Sequence, residues 1–434
     1  MEKLLKQLNP WWNNENYFNN FDYIERKMYL DKLKLLIEKK EIITITGIRR
    51  IGKSVIQKQL IKHLIEEKKI NPKNILFFNI DILTLNEKKE NIFPKIKEDY
   101  LKLNNPKGKI YIFLDEIQNL ENWENQLKVE YDLYDSIKFI LTGSNSKVLY
   151  SNISKLLTGR ILNTHIFNLS FKEYLFFKKY NIKDLDYDKI EIYNHYKNYL
   201  KLGHFPETAL EKNEEINFQR LNEYINSILL RDILELNNIR DNKTIIELSR
   251  FLLTNSSKLF SYNKFSKILS ISKTTLKEYI ISFENAFLFS ELNMYDKSIK
   301  KQILNDKKIY VNLQDFFSIS FKFSENIGRL LENLVFVELK RRGYEVYYHK
   351  KKKECNFVIK ENLDITKAIQ VTKSLNDKNT KKREIEGLLD AMKIYKLKEG
   401  LILTQDEEGE EIIEKKKILI KPIWKWLLGN HRDD

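Results

Sequence analysis

The stretch Gly47-Ile48-Arg49-Arg50-Ile51-Gly52-Lys53-Ser54 constrains this chain more than any other, because it satisfies the spacing G-x-x-x-x-G-K-[ST] at every fixed position. Its flanks sharpen the constraint. Glu41-Ile42-Ile43-Thr44-Ile45-Thr46 is a β-branched run of strand length. Beyond Ser54, apolar residues at 56, 60, 61, 64 and 65 repeat with a helical period. Strand, glycine-rich loop and helix in this order present backbone N–H groups and a positive helix end to a phosphate chain. Gly47 and Gly52 permit backbone geometry that a side chain would block. Lys53 is placed to reach the outer phosphates, and the Ser54 hydroxyl to sit on Mg²⁺. The same spacing arises occasionally by chance in ordinary turns, so the flanks carry as much weight as the motif.

A phosphate loop needs a carboxylate to hold its metal, and Ile110-Tyr111-Ile112-Phe113-Leu114-Asp115-Glu116 provides a hydrophobic strand ending in two acids. Asp115 is the candidate metal holder and Glu116 the candidate group that polarises an attacking water. The next strand, Lys138–Thr142, runs into Gly143-Ser144-Asn145-Ser146. Asn145 or Ser144 can there sense a terminal phosphate, or simply cap the following helix. Arg160, after Thr158-Gly159, can offset transition-state charge within the chain or from a neighbouring subunit, or make a surface ion pair. Arg49 and Arg50 can meet phosphates or be solvated. The six histidines are scattered and there is one cysteine, so nucleotide-bound Mg²⁺ is the one metal expected.

With 434 residues, several domains are expected. Candidate strands at 41–46, 75–80, 109–114, 137–142 and 161–168 alternate with helical segments, which predicts an α/β core with a mostly parallel sheet over 41–170, after a lead-in at 1–40. A helical lid is expected at 171–257 and a winged helix-turn-helix at 258–320. In the latter, Ser261–Leu269 and a helix from Lys273, capped by Ser272, precede strand-like segments near 287–295 and 303–311. Lys273, Thr274, Thr275 and Lys277 are its candidate DNA contacts, and a non-binding structural unit is the competing reading. A second α/β domain is expected at 321–434. The +15 net charge favours phosphate-rich partners, although lysine is abundant everywhere in the chain. No apolar run reaches the length of a membrane span, the start is unlike a signal peptide, and one cysteine suits a reducing cytoplasm.

Asn9-Pro10-Trp11-Trp12, the phosphate loop, Leu114-Asp115-Glu116-Ile117-Gln118, Leu141-Thr142-Gly143-Ser144, Gly159-Arg160, Leu169–Leu175, and Gly203 with Pro206 together resemble the archaeal-type ATP-binding proteins, an AAA+/STAND-like branch of P-loop ATPases. The resemblance implies ATP and Mg²⁺ as cofactors, Pro206 near the adenine, and Arg160 in a lid or finger position. It also implies a winged helix and a C-terminal domain resembling the PD-(D/E)xK, restriction-endonuclease-like core. There the positions matching the nuclease acids are Glu332, Asn356 and Gln370; two are uncharged, so the fold is expected to persist without cutting, although Glu354 or Lys373 could substitute from nearby. Three activities fit: an ATPase whose nucleotide state regulates binding to DNA or a protein, a DNA-binding regulator with ATP as an unhydrolysed switch, and an ATP-dependent nuclease. A homo-oligomer is compatible with each.

Overall fold

The computed structural model describes residues 1–14, 16–83, 92–146, 157, 159–182, 188–320 and 327–429. The chain divides into two compact units, one of residues 1–167 with 285–287, the other of residues 168–284 with 288–434.

The first unit is built on five parallel strands: β1 (Ile42–Thr46), β2 (Ile75–Asn79), β3 (Ile110–Asp115), β4 (Ile137–Gly143) and β5 (Ile161–His165), in the order β2-β3-β4-β1-β5. Every residue of β1 and β4 is buried, as expected where helices cover both faces of a parallel sheet. β5 ends at His165, three residues short of the expected 168, because the Ile166 N–H closes the pairing on the Thr46 carbonyl at 2.7 Å. The helix Lys53–Glu66 follows β1 directly.

The lead-in closes one sheet edge. β2 is an edge strand, and unpaired edges invite association with other chains. The Asn9 side chain donates to the Phe77 carbonyl (2.9 Å) and accepts from the Phe77 N–H (2.6 Å), copying a strand partner. The Trp12 indole N–H donates to the Ile75 carbonyl at 2.8 Å. The lead-in also holds two helices, Glu2–Leu8 and Lys27–Leu36.

In the second unit, helices span Phe171–Phe177, Lys189–Lys201, Pro206–Leu210, Glu214–Ser227 and Asn242–Thr254, with a π-helical turn at Ile228–Glu235. A three-stranded antiparallel sheet joins β6 (Leu259–Phe260), β7 (Phe289–Leu292) and β8 (Lys307–Val311) in the order β6-β8-β7. Helices Tyr262–Ile268 and Lys273–Asn285 lie between β6 and β7; the Ser272 hydroxyl caps the second by accepting from the Thr275 N–H (3.0 Å). Lys273, Thr274 and Lys277 are exposed on it. The segment expected as one strand over 303–311 is instead the end of a helix, Ile299–Leu304, and then β8, because Ser298 caps a local helix there.

A second sheet comprises β9 (Glu345–Lys350), β10 (Glu354–Glu361), β11 (Asp364–Val371), β12 (Glu399–Thr404), β13 (Gly409–Ile413) and β14 (Lys416–Pro422), ordered β13-β14-β12-β11-β10-β9. β11–β12 and β12–β14 pair in parallel and the other pairs are antiparallel. Helices Ile327–Arg341 and Lys378–Ile394 accompany it. At Gly387 a Cβ would lie 2.2 Å from the Glu354 carbonyl oxygen, so only glycine lets the second helix sit this close to β10.

Candidate active site

In a doubly wound sheet, ligands sit beyond the carboxyl ends of the strands, where the strand order reverses. Here β1, β3 and β4 deliver Gly47–Ser54, Asp115–Glu116 and Thr142–Asn145 to the same end of adjacent parallel strands.

The loop has the shape its glycines require. A Cβ on Gly47 would meet the Ile166 carbonyl at 2.5 Å, and Gly52 is left-handed (φ 98°) at the N-terminus of its helix. Arg26, buried in the lead-in, supports the loop by donating to the carbonyls of Ile51 (3.4 Å) and Phe167 (2.8 Å). The Lys53 ammonium is 3% exposed; it donates to the carbonyls of Gly47 (3.0 Å) and Ile48 (3.2 Å) and lies 3.5 Å from Glu116. The Ser54 hydroxyl donates to Asp115 Oδ2 at 2.8 Å. Asn79 also donates to that oxygen at 3.1 Å, while Thr142 donates to Asp115 Oδ1.

Glu116 has φ 56°, a left-handed conformation that costs a non-glycine residue about 1–3 kcal/mol and recurs at functional positions. The Thr142 hydroxyl accepts its N–H at 2.9 Å, and Gln118 donates both to Glu116 Oε2 (2.5 Å) and to the Ser144 hydroxyl (3.0 Å). Burial alone would raise the Glu116 carboxyl, but Lys53, Arg49, Gln118 and Ser144 outweigh it and bring it down to about 2. Asp115 moves the opposite way: burial, then the neighbouring Glu116 charge, raises it. Two adjacent carboxyls are thus driven apart in acidity by their surroundings.

The structure therefore brings together the loop, Asp115, Glu116 and Ser144. Asn145 is fully buried two residues beyond the end of β4. Arg49 lies near the site but pairs with Asp81 at 3.3 Å, and Arg50 takes the loop's left-handed bend (φ 69°). Arg160 does not join them. Its carbonyl accepts from the Ile42 N–H at the start of β1, the end of the strand opposite the phosphate loop, about 16 Å away at the strand rise. It pairs there with Asp132 at 3.2 Å, so a role within the same chain's site is corrected to a surface ion pair. Pro206 opens the helix Pro206–Leu210 in the second unit. Asp315 fixes the segment before it, accepting from the N–H groups of Gly203, His204 and Phe205.

Sequence reasoning gave no role to Gln118, Thr142 or Arg26. Gln118 had a signal, since an amide two residues past a strand-end acid is within reach of it; Arg26 had none, because its partners are distant in sequence.

These residues fit a nucleotide phosphate chain with Mg²⁺. The cradle exists because position 47 lacks a Cβ, a buried ammonium is held at its centre, and a hydroxyl and a carboxylate oxygen adjoin as hard-cation donors. Fold and site define a P-loop nucleotide-binding protein of AAA type. A family profile described as an AAA domain matches residues 39–175, and a domain of unknown function (DUF8612) matches residues 193–312. An uncharacterized protein of Methanocaldococcus jannaschii is 34% identical over 92% of this chain and 90% of its own length. One from Haemophilus influenzae is 31% identical over 90% of this chain and 97% of its own. Among solved structures, a Walker-type ATPase of Pyrococcus abyssi superimposes with a TM-score of 0.45 at 15% identity, covering 69% of this chain and 97% of that one. The chain belongs to the archaeal-type ATP-binding family of AAA P-loop ATPases. No helix among the described residues is long and apolar enough to cross a membrane.

Proposed function

We propose that this protein binds ATP with Mg²⁺ and hydrolyses it, and that nucleotide state regulates its grip on DNA or a protein partner. The observation that carries the reading is the buried Lys53 ammonium, held by its own loop carbonyls 3.5 Å from Glu116.

Lys53 and the loop N–H groups hold the phosphates, and Ser54 and Asp115 hold Mg²⁺, which when bound neutralises phosphate charge. Glu116 orients the attacking water. As the water oxygen bonds to the terminal phosphorus, the bridging P–O bond breaks, ADP departs with that electron pair, and Glu116 polarises or accepts the water proton. Once Lys53 turns to the phosphates, Glu116 loses its strongest counter-charge and becomes more basic. Gln118 and Ser144 keep its carboxylate aimed meanwhile. Asn145 is the proposed sensor of the terminal phosphate. Arg160, half-buried beside Asp132, is proposed to act only toward a neighbouring subunit, and Pro206 to contact the base.

We assign 1–40 as lead-in, 41–170 as ATPase core, 171–257 as helical lid, 258–320 as winged helix and 321–434 as a nuclease-like domain that does not cut. In support of the last point, Asn356 and Gln370 spend their side-chain oxygens on the N–H groups of Val371 and Asn356, both at 2.9 Å. Steady-state phosphate release tests the proposal. Glu116→Gln is expected to keep ATP affinity and lose roughly 10²–10⁴-fold in turnover. Equal turnover in parent and variant would remove Glu116 from the chemistry, and no phosphate release above background from the parent would leave ATP as an unhydrolysed switch.

A further inference from the structure

The C-terminal sheet holds a cavity of about 690 Å³, far larger than one phosphate group, whose lining includes Glu332, Lys352, Glu354, Asn356, Gln370 and Lys373. Seven lysines and arginines line it against three glutamates. Two of those glutamates are already occupied. The Lys308 ammonium, 3% exposed, lies 3.1 Å from Glu332 and 2.8 Å from Glu354, and Tyr310 donates to Glu332 at 2.7 Å. The third, Glu384, accepts from Gln370 and Arg383. A lysine thus sits where two carboxylates would otherwise gather a divalent cation. Among the described residues no group of three His, Cys, Asp or Glu side chains could hold a metal.

The cations on the rim are held in position. Asp390 Oδ2 accepts from the N–H groups of Lys352 (3.1 Å) and Lys353 (3.0 Å), and from His349 at 3.1 Å, which fixes the β9–β10 turn carrying Lys351–Lys353. Lys351 and Lys353 are paired with Asp296 and Glu386. Lys352 and Lys373 are exposed and make no ion pair among the described residues.

We infer that this cavity binds the phosphodiester backbone of a nucleic-acid strand without a metal ion, Lys352 and Lys373 contacting phosphates and Lys308 serving as the built-in cation that silences the acids beneath them. With Lys308 between Glu332 and Glu354, Lys350 3.8 Å from Glu354 and Arg383 on Glu384, three cations match the three acids of the floor, and the exposed rim cations attract phosphate at more than one point along the cavity, which suits a polymer. Binding here is independent of the phosphate loop.

The test uses the full chain, nucleotide-free and in EDTA, with a fluorescein-labelled oligonucleotide read by anisotropy over a salt series. The parent is expected to bind without divalent metal. Lys352→Glu with Lys373→Glu should weaken binding at least about tenfold and lower the salt slope by about two charges' worth. Both substitutions are on exposed side chains, and unchanged thermal unfolding checks the fold. Lys53→Ala should bind the strand like the parent, so failure of the ATP reading and failure of this one are separable. Unchanged affinity in the double variant, a strict need for Mg²⁺ or Mn²⁺, or cutting of the labelled strand when those ions are added would each overturn the inference. So would a double variant that loses only its response to inorganic phosphate, since that result assigns the cavity to a free anion.

Discussion

Lys53 in the first unit and Lys308 in the second are both about 3% exposed beside two acids, yet they hold those acids differently. Lys53 spends its hydrogen bonds on loop carbonyls and stands 3.5 Å from Glu116; Lys308 binds Glu332 and Glu354 at 3.1 and 2.8 Å. The first arrangement is poised, because its ammonium can exchange two neutral carbonyls for phosphate oxygens with little loss. The second is locked, because moving the buried ammonium would take the closest counter-charge from two half-buried carboxylates at once. The same residue types yield a site ready for a ligand or a site closed to a cation, depending on what else satisfies the lysine.

The largest expected effect comes from breaking the lock. Lys308→Met takes the shared cation from Glu332 and leaves Glu354 only the more distant Lys350 at 3.8 Å; with both acids partly solvated it should cost about 2–3 kcal/mol in urea unfolding, less than a fully buried pair. A loss well under 1 kcal/mol would mean the carboxylates are solvated and the contrast is false. Adding Glu332→Gln to that variant should recover part of the loss.

A largely desolvated carboxylate with no lysine ion pair among the described residues sharpens the point. Burial raises Glu284 to about 7, with the neighbouring Glu291 adding to it, whereas Lys53 and its neighbours hold Glu116 at about 2. Because the folded value of Glu284 lies above its ordinary 4.5, its stabilising proton is fully present below that value and lost as pH rises through about 7. Glu284→Gln keeps an acceptor for the Glu291 N–H and should be less sensitive to alkali. Relative to the parent it should gain about 1–3 kcal/mol between about pH 5 and about pH 8. Parallel stability curves would contradict the assignment.

The smallest effect concerns aim rather than charge. Gln118→Ala removes the hydrogen bonds that Gln118 gives to Glu116 and Ser144 and should lower ATP turnover about tenfold without changing ATP affinity. A rise in KM with unchanged kcat would place Gln118 in binding instead.

Much of the first unit was legible in the sequence because its signals are local. The buried run before Gly47, the helical period after Ser54 and the strand ending at Asp115 each lie within a few residues of the chemistry they position. Arg160 misled because its distance in sequence from the motifs says nothing about which end of β5 it occupies; parallel pairing with β1 puts it at the wrong end. Lys308 was invisible for a related reason. Its partners stand 24 and 46 residues away on another helix and strand, and only the folded sheet brings them together. Strand β13 leaves little trace in the sequence because its residues are mostly exposed, giving little apolar alternation. Asn9 entered as part of the Asn9-Pro10-Trp11-Trp12 motif, but its edge-closing role had no signal, since a side chain that copies a strand partner leaves no periodic trace.

The central claim is that the loop at Gly47–Ser54 is a nucleotide site centred on Lys53. Calorimetric titration of MgATP into the parent and into Lys53→Ala tests it most directly. The account predicts a saturable single-site isotherm for the parent and none for the variant, both folded by circular dichroism. An isotherm of equal affinity in the variant would contradict it.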